Sequence, residues 1–198
     1  MDWIIYYTAD LHFGCENNYE NRTLETDKLI VNNWNKKVTN ADTVYILGDL
    51  AYFGNNKCNS YACSMISQLK GDKHLILGNH DYKGIKDIRV AQLFTEITSY
   101  KEIKDYVDGK TYRLILSHAP QLFWAGQHDK SIHLFAHLHL SKENELYNEC
   151  LREINEYFQY ETVVNGRTDC PQAKAYNVGC MLWNYEPVTL KEIIENDI

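Results

Sequence analysis

The chain has 198 residues, 44% of them hydrophobic, and a formal net charge of −7 at pH 7 from 20 Lys and Arg against 27 Asp and Glu. This length predicts one domain with a full core, and the composition excludes a collagen-like, disordered or low-complexity chain. The acidic balance does not favour long nucleic acid as a partner, because general nucleic-acid binding depends on basic residues that neutralise phosphates.

The apolar runs are short, such as 114–116 and 122–125, whereas a membrane-spanning helix needs about 20 apolar residues. The first residues include an early acid, Asp2, and no basic segment, which is not typical of a signal peptide. The cysteines at positions 15, 58, 63, 150, 170 and 180 form no CxxC pair, so a zinc knuckle is not expected. We therefore expect no membrane partner and a cytoplasmic protein with reduced thiols.

Apolar and β-branched runs predict five strands, in chain order 3–8, 43–47, 74–77, 112–116 and 131–135. Such runs are typical of strands that are covered on both faces. Apolar residues at helical spacing predict helices within 22–38, 59–69, 85–94 and about 143–158. The predicted packed stripe of the third helix consists of Ile85, Ile88, Gln92 and Leu93, and that of the fourth consists of Leu146, Cys150, Ile154, Tyr157 and Phe158. The alternation of strands and helices predicts a layered α/β or α+β domain.

Residues that can bind metal follow each of the five predicted strands. They are Asp10 and His12, Asp49 after Gly48, the run Gly78-Asn79-His80-Asp81, His118, and His137 with His139. Ligands of open α/β sheets bind at the edge where the strands end. Because i and i+2 side chains of an extended chain point the same way, we expect each i, i+2 pair to reach one ion from one side.

Each of these motifs alone has a simpler interpretation. A lone histidine at a strand end is most often a hydrogen-bonded structural residue, and we interpret His74, His128 and His133 in this way. A Gly-Asp pair is a common turn. The occurrence of five such motifs in one chain favours a metal site.

The order DxH, GD, GNH[DE], H and GHxH resembles that of the calcineurin-like metallophosphoesterase superfamily. The resemblance implies a β-sandwich flanked by helices, formed as a single domain over 1–198 with an insertion at about 141–175. The segment 177–179 is similar to the closing strand of small prokaryotic and phage members. Ala136 stands where the family usually has glycine, and alanine would cost about 1 kcal/mol there if the position needed a positive φ.

The resemblance implies two divalent metal ions that share one carboxylate. The first ion would be held by Asp10, His12, Asp49 and His139, and the second by Asp49, Asn79, His118 and His137. Carboxylate, imidazole and amide ligands suit Mn²⁺, which we expect, with Fe, Zn²⁺ or Ni²⁺ as alternatives.

The resemblance further implies hydrolysis of a phosphate ester, with a hydroxide that bridges the two metals as nucleophile. His80 would be the general acid or would stabilise the transition state, and Asp81 would orient the His80 imidazole. We expect a small phosphorylated substrate, with a nucleotide among the options. The sequence leaves open monoester, diester, cyclic nucleotide, nucleic acid or anhydride, and also the oligomeric state.

Several alternatives remain open at this point. The chain could be a non-catalytic metal-binding scaffold of the same fold. The helix near 143–158 could be a surface helix packed on the core, or a lid or dimer contact. Further residues are candidates for substrate contact or for lining the mouth of the site: Cys15, Asn17, Arg22, Tyr52 and Arg89.

Overall fold

The computed structural model describes residues 3–15, 22–164 and 172–196, and the backbone alone within 160–164. In this part of the chain the strands are β1 (Ile5–Thr8), β2 (Thr43–Ile46), β3 (Asp72–Ile76), β4 (Glu96–Thr98), β5 (Lys101–Val107), β6 (Lys110–Leu116), β7 (Ile132–Phe135), β8 (Lys174–Asn177) and β9 (Val188–Thr189). The helices are α1 (Leu24–Lys37), α2 (Asn56–Ile66), α3 (Ile88–Ala91), α4 (Lys142–Val164) and α5 (Leu190–Glu195).

The strands form two mixed sheets. The first has the order β4-β3-β2-β1-β9, in which β1 to β4 are parallel and β9 is antiparallel to β1. The second has the order β5-β6-β7-β8, in which β5 and β6 form an antiparallel pair and β6, β7 and β8 are parallel. The layered α/β architecture predicted from the sequence, a β-sandwich flanked by helices, is therefore confirmed.

Three apolar layers hold this arrangement together. The layer between the two sheets includes Tyr7, Leu47 and Leu134, which are all fully buried. A second layer packs α1 and α2 against the first sheet, and a third lies between α4 and the second sheet. The central strands β1, β2 and β7 are thus covered on both faces, as their continuous apolar sequences predict.

Helix α1 confirms the helix predicted within 22–38, although the apolar Leu24 at its start is exposed. Thr23 caps its N-terminus in a capping box with Thr26, and the buried face is formed by Ile30, Val31 and Trp34. The Trp34 indole N–H donates to the carbonyl of Lys70, 2.9 Å away, so this buried aromatic side chain also satisfies its polar atom.

The prediction of one continuous helix over 85–94 is wrong. Residues Asp81–Lys86 form a 3-10 helix, and α3 has only four residues, with its N-terminus capped by Asp87. Ile88 of the predicted apolar stripe is exposed, whereas Val90, which the stripe did not include, is buried. The Asp87 side chain accepts from the amide of Arg89 and so begins a new helix where the pattern predicted a continuous one.

The predicted helix near 143–158 is confirmed as α4, but its buried face differs from the expected one. Tyr147 and Leu151 are buried against the second sheet, whereas Leu146 and Tyr157, which the pattern placed on the packed face, are each 59% exposed. The ring of Tyr147 packs on Phe135 of β7, with centroids 4.7 Å apart. This contact matches the interpretation of a surface helix packed on the core.

None of the helices in the described part of the chain combines the length and the apolar character needed to cross a bilayer.

Candidate metal centre

The predicted site residues lie in loops at the carboxyl ends of parallel strands in both sheets. Backbone hydrogen bonds tie these loops to one another. The amide of Asp10 donates to the carbonyl of Gly48 over 3.0 Å, and the amide of His12 donates to the carbonyl of Asp49 over 3.0 Å. The loops after β1 and β2 are therefore fixed together by main-chain contacts.

One group of possible metal ligands consists of Asp10, His12 and His139, whose ligand atoms lie within 4.8 Å of one another. The Nε2 atoms of His12 and His139 are 3.3 Å apart, and Asp10 Oδ1 lies 3.8 Å from His139 Nε2. We call this group the first cluster. The first sheet supplies Asp10 and His12, and the second sheet supplies His139.

A second group consists of Asp49, His118 and His137, and we call it the second cluster. His118 Nδ1 donates to the carbonyl of Leu47 over 2.7 Å, because a carbonyl oxygen can only accept. Its Nε2 therefore faces the cluster, where Asp49 Oδ2 lies 3.4 Å away. The amide oxygen of Asn79 lies 3.0 Å from the same Nε2, which brings the predicted neutral ligand to this cluster.

The carboxylate of Asp49 lies between the two clusters. Its Oδ2 is 3.4 Å from His118 Nε2 in the second cluster and 3.9 Å from His12 Nε2 in the first. Its Oδ1 accepts from the backbone amide of His80 over 3.0 Å, which fixes the orientation of the carboxylate. Asp49 is thus placed to be shared by two ions, the role that the resemblance implies.

The expectation that each i, i+2 pair serves one ion is wrong for His137 and His139, which belong to different clusters. Its premise was an extended chain, and the backbone here is left-handed instead. Five of the candidate ligands have positive φ values: 54° for Asp10, 45° for His12, 54° for Asp49, 72° for His137 and 49° for His139. Such conformations cost of order 1–3 kcal/mol each and are characteristic of functional sites.

Glycine is required where the loops after β2 and β3 meet. Gly48 has φ +85°, and a Cβ at this position would lie 2.5 Å from the amide nitrogen of Gly78 and 2.7 Å from His118 Nδ1. Ala136, by contrast, is buried and is not among the described residues with positive φ. The penalty considered for alanine at this position therefore does not arise.

Burial and charge set the protonation of the clusters. Burial raises the pKa of Asp10 to about 7 and lowers that of His12 to about 3, so the His12 imidazole is in the neutral form that binds metal. Burial also opposes ionisation of Asp49, but its hydrogen bond and charge interaction with His118 hold the pKa of this carboxyl at about 2.

The donor set fits a metal cation. Asp10 Oδ1 is buried and, among the described residues, accepts no hydrogen bond, although an ionised carboxylate oxygen in such a place needs a positive partner. Imidazole nitrogens and carboxylate oxygens converge on the same space. This combination suits Mn²⁺, Fe and Zn²⁺.

Asp81 has a different position from the one expected. Its buried carboxylate accepts from three backbone amides at 2.8–2.9 Å, those of Gly78, Asp49 and Leu50. The His80 ring lies beside the carboxylate of Asp49, with Oδ2 3.9 Å from His80 Nε2. Asp81 therefore organises the loops that carry the ligands, and the interpretation that it orients the His80 imidazole does not match these contacts.

His80 lies outside both clusters, with its ring largely exposed at the site. It lines a cavity of about 270 Å³ together with His12, Asp49 and Asn79. Its ring lies edge-on to that of His12, with centroids 5.7 Å apart. This position gives His80 access to a substrate without making it a ligand.

The further candidates separate into three groups. Cys15 and Tyr52 line the same cavity. Arg22 also lines it, but is only 4% exposed and donates to the carbonyls of Asp10 and Leu11, so it positions the ligand loop. Arg89 pairs with Asp87 away from this cavity, and Asn17 lies outside the described residues.

The histidines interpreted as structural lie outside the two clusters of the described residues. His133 is buried and hydrogen bonded to the carbonyl of Ile115 and the amide of Gln121. His74 lies between the carboxylates of Asp72 and Glu96. The ring of His128 packs on that of another aromatic side chain.

Sequence reasoning missed one structural element of the site. The buried carboxylate of Asp27 in α1 accepts from the amide of Gly14 over 2.8 Å and from the hydroxyl of Tyr61 over 2.9 Å. It thereby attaches α1 and α2 to the loop that follows His12. A buried acid on the apolar face of a predicted helix is the signal that could have identified it.

The paired clusters at one edge of a β-sandwich indicate a metal-binding protein. A family model described as calcineurin-like phosphoesterase matches residues 5–171, and the chain belongs to this family. The family supports metal-dependent hydrolysis of phosphate esters, typically with two metal ions, and the two clusters provide candidate ligands for them.

Relatives of this chain occur in phages and archaea. The Gene 66 protein of Mycobacterium phage L5 is 41% identical over 81 residues, which are 38% of this chain and 39% of that protein. The Uncharacterized protein MJ1445 of Methanocaldococcus jannaschii is 29% identical over 197 residues, 96% of this chain and 89% of that protein. A crystal structure of the protein of unknown function AQ665 from Aquifex aeolicus shares the fold, with a TM-score of 0.66 at 24% identity over 98% of this chain and 99% of that one.

Proposed function

We propose that this protein hydrolyses phosphate esters with a pair of divalent metal ions, Mn²⁺ being the expected metal. The observation that carries the proposal is the position of Asp49 Oδ2, within 3.9 Å of ring nitrogens from both clusters. Asp10, His12, Asp49 and His139 would hold one ion, and Asp49, Asn79, His118 and His137 the other. Bound ions would supply Lewis-acid activation of a water molecule and of the phosphoryl oxygens.

The chain's own residues then have separate tasks. The histidine side chains and the Asp49 carboxylate orient the site, and Asp81 holds the loops that present them. His80, outside the clusters and open to the cavity, donates a proton to the leaving oxygen. As the P–O bond to the leaving group breaks, a new P–O bond forms to the attacking water oxygen, and the alcohol departs with the proton from His80. The proton that the attacking water releases to solvent balances the one that His80 takes up again before the next turnover.

The proposal includes the class of substrate, a small phosphorylated molecule. A small phosphorylated molecule fits a cavity of about 270 Å³, and a nucleotide is one option. The chain's net charge of −7 supports a small substrate held at the site rather than long nucleic acid held along a surface. A cytoplasmic location, expected from the sequence, remains part of this proposal and can be tested by imaging a tagged chain.

The direct test is hydrolysis of p-nitrophenyl phosphate and bis(p-nitrophenyl) phosphate by metal-free protein, by protein with Mn²⁺, and by protein with Mn²⁺ and chelator. We expect turnover that requires Mn²⁺ and stops with chelator, together with two ions per chain by elemental analysis. Two bound ions without hydrolysis of either ester would favour the alternative of a non-catalytic metal-binding scaffold.

A further inference from the structure

Two cavities meet at the candidate metal centre. The first, already described, has a volume of about 270 Å³ and contains His80 and Tyr52. The second, of about 400 Å³, is lined by Tyr82, Ser99, Ser117, His118 and Gln121 among others. Both are lined by His137 of the second cluster and by Asn79 beside it, so the two spaces adjoin there.

From this arrangement we infer that the substrate is a phosphodiester, with its leaving group in the first cavity and its retained substituent in the second. The inference rests on the proposed function. His80 lines only the first of the two cavities, and a proton donor must lie beside the oxygen that leaves. A phosphomonoester has a single substituent, so it would occupy the first cavity and leave the second without a ligand group.

The charge of the cavity walls supports the same inference. Among the described residues that line either cavity, the only arginine or lysine is Arg22, and its guanidinium donates to the carbonyls of Leu11 and Asp10. A monoester dianion has three terminal oxygens, which basic side chains ordinarily bind. A diester is a monoanion with two terminal oxygens, so it depends less on basic residues outside the metal centre.

Each cavity also presents a partly exposed aromatic ring. Tyr52 in the first cavity is 55% exposed, and Tyr82 in the second is 52% exposed. Exposed tyrosine rings can pack against planar groups while their hydroxyls remain in water. The two rings therefore fit a diester with planar substituents, such as aryl or nucleoside groups. Tyr82 would select the substituent that stays on the phosphate after hydrolysis.

Three substrates that share one leaving group test this assignment: p-nitrophenyl phosphate, methyl p-nitrophenyl phosphate and bis(p-nitrophenyl) phosphate. With Mn²⁺-loaded protein we expect kcat/KM to be at least about tenfold higher for the bis-aryl diester than for the monoester. A higher kcat/KM for the monoester would overturn the inference while leaving the proposed function intact. Absence of chelator-sensitive hydrolysis of all three would overturn both.

Variants of the two tyrosines separate the cavities. Tyr82→Ala should lower the ratio of bis-aryl to methyl-aryl kcat/KM about threefold to tenfold, the range expected for loss of one aromatic contact. Tyr82→Phe, which keeps the ring, should retain the ratio. Tyr52→Ala should lower kcat/KM for all three substrates and change the ratio by less than about twofold, because the leaving group is common to them.

Binding provides a readout that does not depend on turnover. Diphenyl phosphate, a diester with a poorer leaving group, should bind the loaded protein about threefold to tenfold more weakly in Tyr82→Ala than in Tyr82→Phe, as measured by calorimetry. Tyr106→Ala, at an exposed tyrosine that lines neither cavity, is the matched control. An unchanged ratio and an unchanged Kd in Tyr82→Ala would remove this residue from the retained-group subsite.

Discussion

The buried carboxylate of Asp81 accepts a 2.9 Å hydrogen bond from the backbone amide of Asp49, the residue whose own carboxylate lies between the two clusters. Asp81 also accepts from the amide of Gly78, and its second oxygen accepts from that of Leu50. One side chain thus connects the Gly-Asp and Gly-Asn-His-Asp motifs, which lie about 30 residues apart in the sequence.

Asp81→Asn should destabilise the fold and weaken metal binding. The amide group of asparagine has one acceptor oxygen, so at least one of the three backbone donors would be left unpaired in a buried place, at a cost of about 1–3 kcal/mol. Urea denaturation of the metal-free protein and calorimetric titration with Mn²⁺ measure the two effects. Asp129→Asn, at an exposed aspartate, is the control. Unchanged stability in Asp81→Asn would contradict the role given to this carboxylate.

Asp49→Asn should remove or disorder both metal ions. The substitution replaces one of two carboxylate oxygens by an amide group at the position shared by the clusters, where Oδ2 lies closest to His118 and His12. Elemental analysis after gel filtration measures the effect, and circular dichroism verifies the fold. Two ions per chain in the folded variant would show that Asp49 is not shared.

His80→Ala should retain both ions and lower kcat by about 10²–10⁴, the usual contribution of a general acid. The reason is that His80 is open to the cavity but belongs to neither cluster of ligands. Steady-state kinetics with elemental analysis tests both parts of this prediction. His128→Ala, at an exposed histidine distant from the cavity, should behave as wild type. Unchanged kinetics in His80→Ala would exclude His80 from the reaction.

His133 should make the fold less stable in mild acid. Burial lowers its pKa from 6.5 to about 4. Below pH 6.5 the unfolded chain therefore binds a proton that the folded chain does not, and stability falls as the pH decreases towards 4; above 6.5 this contribution is absent. Between pH 7 and pH 5 the linkage amounts to about 2 kcal/mol.

The measurement is the free energy of unfolding in urea, at several pH values and with chelator present to exclude bound metal. His133→Gln should reduce the loss of stability between pH 7 and pH 5, because glutamine does not titrate. His128→Gln, at an exposed histidine, should retain the full pH dependence. Identical slopes for wild type and His133→Gln would disprove the proposed linkage.

Much of the site could be predicted from the sequence because metal chemistry restricts the residue types. Aspartate, histidine and asparagine directly after apolar runs marked the five segments that the fold brings together, and the family resemblance supplied the choice of ligands within them. Their distribution between two clusters was not predictable from i, i+2 spacing, since that argument assumes an extended chain. The backbone of His137 and His139 is left-handed, so that assumption does not hold for them, and the two rings lie in different clusters.

The strands could be predicted where consecutive residues are all buried, and less well where half-buried and exposed residues alternate. Strands β1, β2 and β7 are almost wholly buried and were found from their apolar runs. Strand β5 was missed because only alternate residues are half-buried and charged residues lie between them. The packed face of α4 was misplaced because the ring of Phe135 in β7, distant in sequence, determines which side of the helix is covered.

Each cluster takes side chains from both halves of the sandwich: His139 joins Asp10 and His12, and His118 and His137 join Asp49. A cation bound in either cluster would cross-link the two β-sheets at the edge they share. The holoprotein should therefore resist separation of the layers at the end where substrate enters, and loss of the ions would loosen that end first.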